Sequence, residues 1–158
     1  MSVNELTHYR YRGARAMVIL HERYMRECLA TWKRAKAANV TLPTTDDPDY
    51  QSLEHLLFHV LRASRGYMTW MCEKLELPDP QIPSPPPLER VQTEADQYLE
   101  LLLAKWREPL AGVSAERFED REYPSRWKTL YSIDAMLEHA VMHPIRHMFQ
   151  LNELKAAQ

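Results

Sequence analysis

Apolar residues recur every three or four positions along four long stretches of the chain, which is the spacing of one face of an α-helix. This pattern predicts helices over about residues 3–38, 49–76, 88–110 and 132–155. The residues expected to face inward are, helix by helix, Leu6, Met17, His21, Tyr24, Met25, Cys28 and Trp32; Leu53, Leu56, Leu57, Val60, Ala63, Ser64, Tyr67, Met68 and Met71; Val91, Ala95, Tyr98, Leu99, Leu102, Leu103 and Trp106; and Ile133, Met136, Leu137, Ala140, Pro144, Met148 and Leu151. Ser132 is the expected N-cap of the last helix, because its hydroxyl can accept a backbone hydrogen bond.

Polar or proline-rich segments separate the predicted helices. Residues 39–49 combine two prolines with threonines and aspartates, and residues 78–87 read PDPQIPSPPP, a composition that stays extended and semi-rigid. Residues 112–131 carry no helical pattern. Because these connections are long, the second and third helices need not form a tight hairpin. We therefore predict an all-α fold, a four-helix bundle with long non-hairpin connections, as a single domain over residues 1–158.

Composition narrows the class of partner. A formal net charge of −2 gives no basic field, which disfavours nucleic acid and anionic membranes as partners. No apolar run approaches the roughly 20 residues that cross a bilayer, and the N-terminal residues lack a signal-peptide layout. Two cysteines, Cys28 and Cys72, do not make a disulfide framework, so we expect a cytoplasmic protein.

Three of the seven histidines follow one another at four-residue spacing in the last helix, at positions 139, 143 and 147. Since a helix turns about 100° per residue, each histidine can be placed against its apolar stripe. His147 lies nearest the apolar centre, His143 at its margin, and His139 further toward solvent. His59 flanks the stripe of the second helix, whereas His55 lies further out. His59, His143 and His147 can therefore meet at the edge of the core.

Three neutral imidazoles with open coordination positions are the ligand set of a catalytic zinc site, and they also suit nickel and iron. A histidine at a core margin is more often a hydrogen-bonded structural residue, and His21 fits that description better than a fourth ligand or a base. His55 and His139 are expected outside the site or at the surface. A ferritin-like di-iron site needs repeated Glu-x-x-His pairs, and only Glu5 to His8 matches.

The histidine pattern resembles a known family. Residues 52–60, SLEHLLFHV, followed by Ala63 and Tyr67, are similar to the second helix of the DinB-like (YfiT-like) four-helix bundles. The spacing of His139, His143, His147 and Gln150 resembles the closing motif of that family, in which two histidines four apart precede Arg-Gly-Gln. Here Met148-Phe149 replaces Arg-Gly, and Pro144 predicts a kink inside the helix.

The resemblance implies a bundle with an unusual helix order, a divalent metal (zinc, nickel or iron) held by His59, His143 and His147, and a homodimer. Characterised members include mycothiol-dependent maleylpyruvate isomerase and bacillithiol S-transferase. The implied function is a metal-dependent S-transferase or isomerase that uses a low-molecular-weight thiol and a small electrophilic substrate.

Two neighbours of the histidines are candidates for supporting roles. Arg62 lies on the same side of the second helix as His59 and could grip a carboxylate, with Gly66 leaving room for it; the alternative is an ordinary surface arginine. Gln150 could hydrogen-bond a ligating histidine. Two other functions remain open. One is a hydrolase that uses metal-activated water, and the other is a non-enzymatic, stress-related binding protein with a structural metal or none.

Overall fold

The computed structural model describes residues 6–158, which fold into four α-helices: α1 (Arg12–Ala37), α2 (Leu53–Lys74), α3 (Leu88–Trp106) and α4 (Ile133–Ala157). The connections contain two 3₁₀ turns, Pro48–Tyr50 and Ala115–Phe118, and two short strands, β1 (Tyr123–Pro124) and β2 (Leu130–Tyr131). The strands pair antiparallel, with Tyr123 opposite Tyr131. The prediction of an all-α four-helix bundle with long connections is confirmed.

The first helix begins later than its apolar pattern predicts. The predicted start near residue 3 lies outside the described residues, and within them α1 begins at Arg12. Tyr9 donates its hydroxyl to the Arg107 carbonyl at 2.6 Å, and the backbone N–H of Arg10 donates to the Ala111 carbonyl at 3.0 Å. These tertiary hydrogen bonds hold residues 6–11 against the segment after α3, so the backbone cannot continue the helix there.

Helices α1 and α2 end in the same hydrogen-bonded cap. After α1, Asn39 adopts φ 54° and the N–H of Val40 donates to the Ala35 carbonyl at 3.0 Å. After α2, Glu76 adopts φ 57° and the N–H of Leu77 donates to the Cys72 carbonyl at 2.8 Å. Both are Schellman motifs, which satisfy carbonyl groups that have no partner within the helix. The two predicted ends are therefore close to the observed ones.

Most residues of the predicted inward faces are buried between the helices, whereas Met17, Tyr24, Ala63 and Met148 are only partly buried. In α3, all seven residues that the pattern places inward are buried: Val91, Ala95, Tyr98, Leu99, Leu102, Leu103 and Trp106. Helix α3 stops at Trp106, four residues before its predicted end. The largest helix–helix interfaces are α1 with α4 and α2 with α3, and α2 also contacts α4. Within residues 6–158, none of the helices combines the length and the apolar content that crossing a membrane requires.

The proline-rich connection between α2 and α3 packs on the bundle as an extended segment. Residues 78–87 adopt no regular secondary structure, and Ile82 is buried. Arg65 donates from Nε to the Ile82 carbonyl at 2.7 Å, and the Tyr98 hydroxyl donates to the Pro83 carbonyl at 2.8 Å. These side chains supply partners for backbone groups that an extended, unpaired segment would otherwise leave unsatisfied.

Candidate metal centre

Three histidines from two helices converge where α2 meets α4. The Nε2 atom of His143 lies 2.9 Å from Nε2 of His59 and 3.3 Å from Nε2 of His147. One nitrogen from each of the three rings lies within 4.8 Å of the others. His143 and His147 are buried, and His59 is partly buried at the edge of the core. The three residues could therefore hold one metal ion.

Helical spacing explains why these side chains meet. His143 and His147 are one turn apart on α4, which is one continuous helix from Ile133 to Ala157. Pro144 lacks an N–H and removes the hydrogen bond to Ala140, but it does not interrupt the helix. On α2, His59 precedes the buried Val60 and faces α4 from the margin of the apolar stripe. The site thus joins the second helix to the last, as the helical phases predict.

Polar partners hold two of the rings from outside. His147 Nδ1 lies 2.9 Å from the Gln150 side-chain oxygen, so this nitrogen carries the proton and donates. His59 Nδ1 lies 2.9 Å from a carboxylate oxygen of Asp49, at ion-pair distance but without hydrogen-bond alignment. A proton on Nδ1 leaves the Nε2 lone pair free and directed inward. Such outer partners fix the tautomer and orientation of metal-binding histidines.

The environment keeps the three rings neutral. Burial is the main cause that lowers the pKa of His143 to about 2 and the pKa of His147 to about 4. Burial also lowers the pKa of His59, although the Asp49 carboxylate opposes this shift. Neutral imidazole is the form that binds a metal, and lone pairs that converge without a proton between them repel one another. The donor set therefore fits zinc, nickel or iron.

A cleft of about 340 Å³ opens beside the three histidines. Its walls come from α2, from α4 and from the turn between β1 and β2. Its lining combines arginine, aromatic and histidine side chains, among them Arg62, Arg126, Arg146, Tyr67, Trp127 and His139. This volume is at the lower end of the range for small-molecule sites. The metal candidate thus lies at the side of a pocket that can admit a small ligand.

His139 lies outside the three-histidine group, but it is a wall of this cleft. Its ring centroid is 6.4 Å from that of His143 and 5.3 Å from those of Tyr67 and Trp127. It is partly buried, because the turn between β1 and β2 covers it. Of the two expected positions, outside the site or at the surface, His139 takes the first: it is not one of the three grouped histidines, and aromatic side chains of other elements pack around it.

The two remaining candidate histidines have structural environments. His21 is fully buried, stacks on Trp106 at 3.6 Å between ring centroids, and places Nε2 2.9 Å from the Ser64 hydroxyl. His55 places Nδ1 2.9 Å from the hydroxyl of Ser52, the residue that caps α2. Neither belongs to the three-histidine group.

Arg62 and Gln150 lie where their spacing predicts, next to the histidines. Arg62 lines the cleft, but its guanidinium also pairs with the Asp49 carboxylate at 2.9 Å. Gly66 is expected to leave room for a carboxylate to approach Arg62. In the structure Arg126 lies in that space: a Cβ at Gly66 would lie 3.1 Å from Nη1 of Arg126. A side chain from a distant turn therefore occupies the space that the absent side chain of Gly66 leaves.

Sequence reasoning did not find Asp49 as a partner of the site. Asp49 lies in the 3₁₀ turn Pro48–Tyr50, just before α2, and its carboxylate touches both His59 and Arg62. Helical phase cannot place a residue in a turn, and the segment resembled an ordinary polar connection. The available signal was chemical, because a histidine ligand is commonly backed by a carboxylate.

Comparison with known proteins gave one result. A family model described as the DinB family matches residues 41–154, which is more than half of the chain and includes all three histidines. Comparisons with curated proteins and with solved structures gave no match. The family match covers α2, α3 and most of α4, the elements that build the candidate metal centre and its cleft. The chain belongs to the DinB family.

Proposed function

We propose that the protein is a divalent-metal-dependent enzyme that joins a low-molecular-weight thiol to a small electrophile, or isomerises such a substrate with the thiol as co-substrate. One observation carries the proposal: three neutral imidazole nitrogens converge at the side of an open cleft. A purely structural metal would instead have a closed set of four protein ligands. Three ligands beside a cleft leave room for a substrate atom.

The residues divide into those that hold the metal and those that orient them. His59, His143 and His147 would bind zinc, nickel or iron through Nε2, while Asp49 and Gln150 keep the rings in place from the Nδ1 side. When bound, the metal would lower the pKa of an incoming thiol, so that the thiol is deprotonated near neutral pH.

The cysteines of the chain support an external thiol. Cys28 and Cys72 are both buried, and burial raises the pKa of Cys28 to about 12 and the pKa of Cys72 to about 11. At neutral pH both remain protonated thiols, which are poor nucleophiles. Neither lines the cleft. A sulfur nucleophile in this cleft would therefore come from a second substrate.

His139 and Tyr67 could handle protons in the cleft. Burial, with a smaller contribution from the charge of Arg146, lowers the pKa of His139, so its imidazole is neutral at pH 7 and could accept a proton from a thiol. Burial raises the pKa of Tyr67, so its hydroxyl stays protonated and could donate a hydrogen bond to a substrate oxygen.

Metal analysis tests the site and its ligands. After expression with zinc, nickel and iron in turn, we expect about one ion per chain by elemental analysis. His143→Ala should lose the ion and keep its helical circular dichroism, whereas His55→Ala, which changes a histidine on α2 outside the group, should retain it. A wild-type protein without metal, or a His143→Ala variant with its metal intact, would contradict the proposal.

A paired activity assay tests the reaction. The metal-loaded protein is incubated with monochlorobimane in the presence of bacillithiol, mycothiol or glutathione, and adduct formation is followed by fluorescence. We expect a rate that depends on both the metal and one of the thiols. Ester or amide hydrolysis that proceeds without any thiol would replace the transferase by a hydrolase. Absence of turnover with metal in place would favour a binding protein.

A further inference from the structure

The walls of the cleft carry an excess of positive charge. Three arginines line it, namely Arg62, Arg126 and Arg146, and no aspartate or glutamate of the described part of the chain does. The rings of His139 and His143 add no negative charge. A divalent ion on the neighbouring histidines would add two more positive charges. Such a cleft favours an anion over a neutral or cationic ligand.

One of the three arginines is already neutralised. Both carboxylate oxygens of Asp49 accept hydrogen bonds from Arg62 Nη2, at 2.9 and 3.1 Å. That pairing ties Arg62 to Asp49, the same carboxylate that contacts His59, and leaves the Arg62 guanidinium less available to bind a ligand. A ligand anion would therefore have to be recognised by the other two.

Arg126 and Arg146 have no such partner. Across residues 6–158, every arginine except Arg12, Arg126 and Arg146 is engaged in a hydrogen bond or an ion pair. The charge of Arg126 does reach Glu73, but the ion-pair partner of Glu73 is Lys74. Two of these three arginines therefore line the same cleft, one from the turn between the strands and one from α4.

The chain makes room for one of these guanidinium groups. Gly66 lies in the middle of α2, where glycine is less favourable than alanine by about 1 kcal/mol. A Cβ at this position would lie 3.1 Å from Nη1 of Arg126. The missing side chain lets the guanidinium lie close to the helix, within the cleft. Arg146 lies three residues after His143 on α4, so the two side chains share a face of the helix and both line the cleft.

Aromatic side chains form the rest of the wall. Trp127 is 46% exposed, and its ring meets the edge of Tyr67 at 6.5 Å between centroids. An exposed tryptophan that lines the same cleft as two guanidinium groups suits a ligand with a planar or apolar body and a charged end. Arginine binds carboxylate through paired N–H donors, which also orients the anion.

We infer that the substrate of this site is a small carboxylate with an apolar or aromatic body, bound by Arg126 and Arg146 against Trp127. The inference rests on the proposed function, since it names the substrate class of the same cleft. The two arginines would hold the carboxylate and direct the remainder of the molecule toward the three histidines.

Calorimetric titration tests this inference with benzoate as the probe and benzamide as its neutral counterpart. On the zinc-loaded protein, benzoate should bind at least about tenfold more tightly than benzamide. Arg126→Gln and Arg146→Gln should each weaken benzoate binding at least about fivefold, and Arg126→Lys should lose less than Arg126→Gln. Arg12→Gln should have no effect, because Arg12 lies outside the cleft; like Arg126 and Arg146, it has no hydrogen-bond or ion-pair partner in the described part of the chain.

Two controls separate this inference from the proposed function. Zinc content, measured on every variant, should stay at the wild-type level. If the wild-type protein takes up no metal, the proposed function fails, and the same titrations on the metal-free protein still test the arginines. Equal affinity for benzoate and benzamide, or undiminished benzoate binding in the Arg126→Gln/Arg146→Gln double variant, would overturn the inference.

Discussion

Replacing His21 with leucine should change how the stability of the protein depends on pH. His21 is fully buried, and its Nδ1 has no hydrogen-bond partner among residues 6–158. Burial lowers its pKa from 6.5 to about 3. In the unfolded chain the same imidazole takes up a proton near pH 6.5. The unfolding free energy therefore has its full value above pH 6.5, where His21 is neutral in both states. It decreases progressively as the pH falls from 6.5 toward 3, because only the unfolded chain binds the proton.

The size of the effect follows from the two pKa values. Between pH 7 and pH 5 the unfolded chain becomes protonated at this position while the folded protein does not. Proton linkage then removes about 2 kcal/mol of unfolding free energy from the wild type. Leucine cannot titrate, so the His21→Leu variant should not lose this amount. The free-energy cost of losing the stack on Trp106 should be the same at both pH values.

Urea unfolding, followed by circular dichroism at pH 7 and pH 5 with a chelator present, measures the difference. We expect the stability of His21→Leu relative to wild type to improve by about 2 kcal/mol on going from pH 7 to pH 5. Leu29→Ala changes a buried, non-titrating residue on the same helix, so its unfolding free energy should fall below that of wild type by the same amount at both pH values. An unchanged difference for His21→Leu would refute the assignment of His21 as a neutral core residue.

Three other changes probe the site and its scaffold. Asp49→Asn should weaken zinc affinity by about 10–100-fold, because His59 loses its charged partner. Competition with a chromophoric chelator measures this, with the exposed Asp46→Asn as the control that should keep the wild-type affinity. Equal affinities of the two variants would contradict the role of Asp49. Gly66→Ala should raise the unfolding free energy by about 1 kcal/mol in urea titrations if the Arg126 guanidinium yields, and a loss of stability would show that it is held rigidly. Ser132→Ala should lower the unfolding free energy by about 1 kcal/mol, since the Ala135 N–H loses its acceptor, and Ser132→Asp should restore this free energy.

Hydrophobic periodicity was sufficient to predict the bundle because the helices are amphipathic and pack along their apolar stripes. The same argument placed His59, His143 and His147 near one another, since it needs only the phase of each residue on its own helix. Ser132 caps α4 as predicted, with its hydroxyl 3.1 Å from the Ala135 N–H. Local chemistry decides features of this kind.

Tertiary contacts decide the features that the sequence could not predict. No local sequence feature distinguishes residues 6–11 from the first turns of α1. What keeps residues 6–11 out of the helix is a tertiary contact, the hydrogen bond from the Arg10 N–H to the Ala111 carbonyl. Arg126 and Trp127 lie in a segment without periodicity, so no phase argument places them in the cleft. Their position depends on how the chain returns to α2, where Trp70 donates to the Pro124 carbonyl at 3.1 Å.

In the proposed site, the short hairpin of β1 and β2 carries residues that would recognise the ligand, whereas the helices carry the histidines. The histidines belong to packed helices, whose spacing and burial tolerate little change. Arg126 and Trp127 belong to a surface turn closed by the hydrogen bond from the Ser125 N–H to the Thr129 carbonyl at 2.8 Å. Residues in such a turn can be exchanged without disturbing the helical core. Evolution or design could therefore alter which molecule is recognised by rewriting residues 126–128, while the chemistry at the histidines stays the same.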